Sequence, residues 1–392
     1  MNLNSGNRNP LLVTFCLILL LSVATGGSAE VVTLANPNAS NTAGGVAVDV
    51  EGYVYSADFG GTNLFKISPD GSEVTVFATG FNTPSGNNFD SQGNLFQSNF
   101  QDPNNNGAPD TISRITPEGI HTTFVDGLNG PVGVTLDGSD TLFVAMCNSN
   151  NVTKITQDLE VSVFASSSLF QCPNGITFDD RGILYVVNFN DGAVLRITPT
   201  GEVSLFATVP GGGNGHVVFV AGHLYVAARN AHQIYRVSTL DATVELVAGT
   251  GVAGSADGVN TEAQFNLPNG IARNREGTRL YTNGFGGIVR ELTVQLPRPA
   301  APTDLTAKLV GAENNRVRLV WSENAHHEEG YEVWMKIPGV FPWAVVDIRP
   351  VNKRVARIRR LEPGTTYLFK VRAINGTSVS GWSNTVRVKT PD

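Results

Sequence analysis

The sequence predicts an all-β protein of two domains, a six-bladed propeller followed by a β-sandwich. Three observations carry that prediction. A unit of four apolar runs recurs along the first two-thirds of the chain, a lone apolar run precedes the first unit and is missing from the last, and composition changes after a Pro-rich stretch near residue 300. Length agrees, because 392 residues exceed what one ordinary core holds.

Residues 1–29 read as a cleaved leader rather than structure. Arg8 precedes the 15-residue apolar run "PLLVTFCLILLLSVA", and "GGSA" ends in small residues that a signal peptidase accepts. The run is too short for a membrane span and no stop-transfer charges follow. Cys16 has no lipobox around it. The expectation is a secreted or periplasmic protein without a membrane span. Of the three cysteines, Cys147 and Cys172 then remain, in a compartment that tolerates disulfides.

The net charge of −7 hides an asymmetry. Residues 30–297 carry 11 Lys/Arg against 25 Asp/Glu, whereas residues 298–392 carry 15 against 9. Opposite signs suggest domains with different partners or domains that attract one another. An acidic first domain argues against a nucleic-acid ligand.

The repeats align on Gly45, Gly86, Gly133, Gly175, Gly215 and Gly270, spaced by 41, 47, 42, 40 and 55 residues. Each unit reads "G(V/I)(A/T)xD", a turn, an "LYV"-like run, a polar turn, "xLxRI", a turn and "VxxFA". Short runs rich in Val, Ile, Phe and Tyr between Gly/Asp/Asn turns are antiparallel strands. Four strands at a period near 42 residues make a propeller blade. The last unit ends at "GIVRELTVQL" without its fourth run, and "EVVTLA" (Glu30 to Ala35) matches the fourth run of the others. Pairing the two would close the ring and remove an exposed sheet edge. The propeller is therefore expected over 30–296, a stiff Pro-rich linker over 297–302, and the sandwich over 303–392.

"VAGTGVAGSADGVNTEAQFNLPNGIA" (Val247 to Ala272) closely resembles the NHL-repeat signature, and the broader "PNGI…LYV" pattern resembles the SMP-30/gluconolactonase-like propellers. In the tail, "VRLVWSENAHHEEGYEVWMK", "LEPGTTYLFKVRAING" and "GWSNTVRVKT" resemble a fibronectin type III domain. That resemblance makes Trp321 the core tryptophan of the second strand and puts Leu361 and Tyr367 at a tyrosine corner.

Superposing the repeats places Gly44, Ser85, Val132, Asn174, Asn214 and Asn269 at the channel mouth, with Asp58, Asn99 and Asn188 nearby at second-strand ends. Asp58, Asn99, Asn174, Asn188, Asn214 and Asn269 are the candidate ligand-binding residues, able to offer oxygens to a hard cation or a ligand. Asn equally serves turns and capping. The lactonase resemblance implies a catalytic metal held just before the repeat Gly. Gly44 stands where it would place a Glu, Asn214 or Asn269 where it would place an Asp, and only Asn174 carries over. His216 and His232 fall near the same face without a third His in register. No catalytic residue is assigned.

"DPNNNGAPD" in the second blade places Asp102, Asn104, Asn106, Gly107 and Asp110 in a D-x-N-x-N-G-x-x-D pattern, an oxygen-ligand loop that would take Ca²⁺ weakly; a solvated Asn/Pro loop is the bland alternative. "KRVARIRR" (Lys353 to Arg360) is a strand with one wet face or an acidic-glycan contact, and Asn38, Asn151 and Asn375 head N-x-S/T sequons. Cys147 and Cys172 fall on the same face of adjacent blades, which points to a disulfide between them. The functional expectation is an exported, non-catalytic binding or adhesion protein, with a small molecule, glycan or protein held on the propeller face. The alternative is a divalent-metal-dependent lactonase or esterase.

Overall fold

The computed structural model describes residues 29–37, 43–100, 110–296, 298–311, 315–324, 328, 330–351, 353–375 and 378–392. Most of the leader, the sequon at Asn38, and Asp102, Asn104 and Asn106 of the second-blade loop lie outside them. The chain is a six-bladed propeller followed by a fibronectin type III sandwich. Five blades are four-stranded sheets in sequence order, and the sixth has five strands. Among the described residues no helix is long and apolar enough to cross a membrane.

The sixth blade closes the ring as the lone first run predicts. Strand Glu30–Ala35 pairs antiparallel with Val289–Thr293, Val31 opposite Leu292 and Thr33 opposite Arg290. The NHL-like insertion adds what the repeat pattern does not show: Gly258–Val259 pairs with the outer side of the same closing strand. The buried Arg290 guanidinium locks this corner, donating to Gln264 O (2.7 Å), Ala256 O (3.1 Å) and Asp257 Oδ1 (2.7 Å).

Each letter of the repeat has a physical reason. The Gly is where neighbouring blades meet around the channel. A Cβ on Gly86 would lie 2.3 Å from Val132 O, on Gly133 2.1 Å from Asn174 O, and on Gly215 2.4 Å from Asn269 O. On Gly270 it would meet Gly44 O at 2.7 Å, so the contact runs from the last blade to the first. The Asp at the end of the first strand holds the hairpin that follows: Asp137 Oδ1 accepts from the N–H groups of Ser139 (2.8 Å) and Thr141 (3.0 Å), and Asp179 Oδ1 from Arg181 (2.9 Å) and Ile183 (2.8 Å). The aromatic of the second strand meets the Phe of the fourth edge-on, as in Tyr55–Phe77 (4.9 Å), Phe96–Phe124 (5.0 Å), Phe143–Phe164 (4.9 Å) and Tyr185–Phe206 (5.2 Å). Such pairs contribute about 0.5–1.5 kcal/mol each beyond their burial.

The sandwich packs Thr303–Val310, Arg316–Ser322 and Val355–Ile358 against the sheet of Phe341–Pro350, Gly330–Ile337, Thr366–Asn375 and Val386–Lys389. Trp321 is buried at its centre against Tyr331, and Tyr367 Oη accepts from Glu362 N at 2.8 Å, forming the tyrosine corner.

Candidate functional site

The channel opens at the face where the inner strands begin. Four blades enter the inner strand through a residue of positive φ followed by proline: Thr83 (43°), Gly130 (75°), Cys172 (56°) and Leu267 (47°). In three of them its carbonyl also accepts from the residue just past the second strand, Phe100 N at 3.1 Å, Cys147 N at 2.7 Å and Phe189 N at 2.9 Å. In the last blade Phe285 N makes the equivalent bond to Asn266 O at 2.8 Å. The turn thus fixes where the next side chain points, and that side chain borders the mouth.

Going round the ring, those positions are Phe59, Phe100, Cys147, Phe189, Arg229 and Phe285, all half-buried and all lining one cavity of about 210 Å³. Cys147 is bonded to Cys172, as the sequence suggests, so a cystine fills the third place of a rim that holds four phenylalanines and Arg229. Phe59 and Phe100 lie 6.1 Å apart, and the Arg229 guanidinium sits 5.3 Å from the Phe189 ring centre and 4.8 Å from that of Phe285. Among the described residues Arg229 is the one charged residue lining this cavity. Its bond to Asn230 Oδ1 spans 3.5 Å, and burial pulls its pKa below the usual guanidinium value.

The candidate asparagines divide. Asn174 and Asn269 line the cavity; Asp58, Asn99, Asn188 and Asn214 do not border it. Rather than capping their own turns, Asn174 and Asn269 reach to the next blade. Asn174 Nδ2 donates to Asn214 O (3.0 Å), and Asn269 Nδ2 donates to Ala43 O (2.7 Å) and Gly44 O (3.2 Å). That leaves Asn174 Oδ1 buried, without a partner, beside the cavity. Asn99 Nδ2 donates to Thr111 Oγ1 (2.9 Å) and Ser113 Oγ (3.0 Å) within its own blade, and Asn188 Nδ2 to Leu169 O (2.8 Å) in the connection leading into its blade. Asp58 is buried against the turn at Gly61. Asp110, the described end of the second-blade loop, accepts from Gly130 N at 2.5 Å.

The two histidines separate as well. His232 Nδ1 accepts from Leu267 N at 3.0 Å. His216 lines a second cavity, of about 360 Å³, at the opposite end of the channel with Asn87. Its Nε2 has no partner, and burial lowers its pKa to about 4. Among the described residues no three His, Cys, Asp or Glu stand together as a metal centre.

Sequence reasoning missed the rim by one residue. The superposed second-strand ends were Asp58, Asn99 and Asn188, and the next positions are Phe59, Phe100 and Phe189. The signal was a Phe recurring just past those ends, in register with Cys147.

The fibronectin type III domain profile matches residues 300–389. No curated protein matches. Among solved structures, an auxiliary nutrient binding protein from Bacteroides thetaiotaomicron is 16% identical, with TM-score 0.56 over 68% of this chain and 76% of that one. A gluconolactonase from Xanthomonas campestris is 17% identical, with TM-score 0.54 over 68% and 90%. Virginiamycin B lyase from Staphylococcus aureus is 17% identical, with TM-score 0.51 over 68% and 99%. These likenesses show the propeller fold.

Proposed function

We propose that the protein is an exported binding protein that captures a small ligand with apolar surface at the propeller mouth, with the sandwich as spacer or adhesion module. The rim carries this reading: four Phe side chains, a cystine and one guanidinium converge on a single cavity. Apolar walls of this kind gain roughly 25 cal/mol for each Å² they and a ligand withdraw from water. The cystine suits an oxidising compartment, in keeping with export.

The fold serves nutrient binding in one structural neighbour and lactone hydrolysis in another, so the residues must decide. The lactonase reading needs a divalent metal at the mouth, and the donors here do not fit one. Gly44 has no side chain to offer, and the amide nitrogens of Asn174 and Asn269 are engaged to backbone carbonyls. Among the described residues what remains at the mouth is neutral amide oxygen, where hard cations want carboxylates. Ca²⁺ enters the proposal only through the second-blade loop.

Two measurements test the reading. The neutral fluorophore N-phenyl-1-naphthylamine should bind, and Phe189→Ala with Phe285→Ala should weaken it by roughly tenfold or more, the scale of burying one to two aromatic faces. A panel of lactones and aryl esters with added Ca²⁺, Mn²⁺ or Zn²⁺ should show no turnover; hydrolysis abolished by EDTA would overturn the proposal.

A further inference from the structure

We infer that the ligand of the propeller mouth is an amphipathic carboxylate, with an apolar body for the phenylalanine rim and an N–H or O–H group close to its acid. This rests on the capture reading above and names the chemistry of that site.

Arg229 is half-buried, and no ion pair to it occurs among the described residues. A cation taken out of water without a counter-charge is costly, and an arriving anion removes that cost. The guanidinium lies over the Phe189 and Phe285 rings, 5.3 and 4.8 Å from their centres. The rings accept no strong hydrogen bond and the one to Asn230 Oδ1 spans 3.5 Å, so N–H groups remain for an acceptor, and a carboxylate matches the planar fork of a guanidinium with two parallel bonds.

The rest of the lining narrows the anion. One cation neutralises one charge, and among the described residues no second Lys or Arg borders the cavity to meet a phosphate dianion. The four phenylalanines disfavour a small hydrated ion and favour carbon surface beside the charge. Asn174 Oδ1 is a buried acceptor without a donor on the same wall, and its own Nδ2 is held by Asn214 O. Because the amide cannot turn over without breaking that bond, the ligand must bring the donor. N-acylated amino acids and hydroxy acids with an aromatic or aliphatic side chain combine all three features.

The test uses the whole mature protein and matched probes, N-acetyl-phenylalanine and its primary amide, with affinities from ligand-observed NMR titration. The acid should bind about tenfold or more tightly than the amide, the scale of a charge-assisted hydrogen bond. Arg229→Gln should bring the two within about twofold of each other, whereas Arg372→Gln, in the sandwich, should leave the ratio intact. Replacing the probe with 3-phenylpropionate, which lacks the N–H, should cost several-fold in affinity. Equal binding of acid and amide to the wild type, or a preference that survives Arg229→Gln, would overturn the inference while leaving capture at the rim standing. Binding of neither compound would instead remove the capture reading, and the inference with it.

Discussion

Two arginines in this protein lie against aromatic rings, and they differ in what completes them. In the sandwich, Arg372 sits 5.2 Å from the Trp334 ring and 4.8 Å from that of Trp382, and its Nε donates to Glu332 Oε2 at 2.7 Å. Trp334 Nε1 donates to the same oxygen at 2.8 Å, and Lys370 Nζ lies 3.6 Å from the Trp382 ring. Charge, ring and counter-charge are all supplied by the chain. At the propeller mouth Arg229 has the rings, and among the described residues no acid pairs with it. The same stacking is therefore a finished structural device in one domain and, on the reading proposed above, a ligand contact in the other. The informative feature of Arg229 is the missing partner, more than the contact it makes.

The four tryptophans, Trp321, Trp334, Trp343 and Trp382, all lie in the sandwich. Tryptophan fluorescence therefore follows one side of the comparison, and far-ultraviolet circular dichroism follows both. The largest expected effect is on the propeller. Joining Cys147 to Cys172 closes a 25-residue separation, so its removal by Cys147→Ala with Cys172→Ala should cost about 3–4 kcal/mol on the chain-entropy estimate. The dichroism transition should fall while the tryptophan transition stays. Thiol titration of the denatured, unreduced protein should find no free thiol; two per chain would sink the disulfide.

Acid should next separate the domains. His216 has a folded pKa of about 4 against an ordinary 6.5. Its neutral form is favoured by folding, so this contribution is fully present above pH 6.5 and is lost as pH falls from there toward 4. The loss should reach about 2 kcal/mol by pH 5, at about 1.4 kcal/mol per pH unit. His216→Gln should flatten that part of the propeller's profile; an unchanged slope would show that burial is not what sets it.

The arginines themselves give a smaller and more direct contrast. Arg372→Gln breaks a partly buried pair and should destabilise the sandwich by about 1 kcal/mol. Arg229→Gln removes a cation that pairs with no acid among the described residues and should leave propeller stability unchanged or slightly raised, by denaturant titration. Equal losses in the two would erase the distinction drawn here. Smallest is Ca²⁺: if the second-blade loop binds it weakly, millimolar Ca²⁺ should raise the propeller midpoint by the mass-action increment, under about 1 kcal/mol, and Asp102→Ala should remove it.

What the sequence made legible was whatever depends on backbone. The repeat Gly follows from hard contact between blades, since each Cβ would strike the next blade's main chain, and no side chain can stand in for that. The terminal run Glu30–Ala35 was legible for a similar reason: a blade short of one strand has an edge to satisfy. The site was less legible because it depends on where side chains go after regular structure stops. Inside a strand, alternation assigns faces. Past Asn99 or Asn188 it no longer applies, and the X-Pro turn bonded to the next residue decides instead. Asn174 and Asn269 looked like open ligands because nothing local shows that their amides reach across to a neighbouring blade. That no acid among the described residues pairs with Arg229 is likewise invisible until residues distant in sequence are brought together.

The closing strand also determines how the propeller would meet mechanical load. Val31 lies opposite Leu292 and Ala35 opposite Val289, so the chain enters at residue 29 and leaves past Thr293 from the same end of one antiparallel pair. Tension between the amino terminus and the sandwich would draw those ends apart perpendicular to the strands, opening the hydrogen bonds one after another instead of loading them together in shear. A tethered copy would thus yield first at the sixth blade, at low force, with the other five blades still folded.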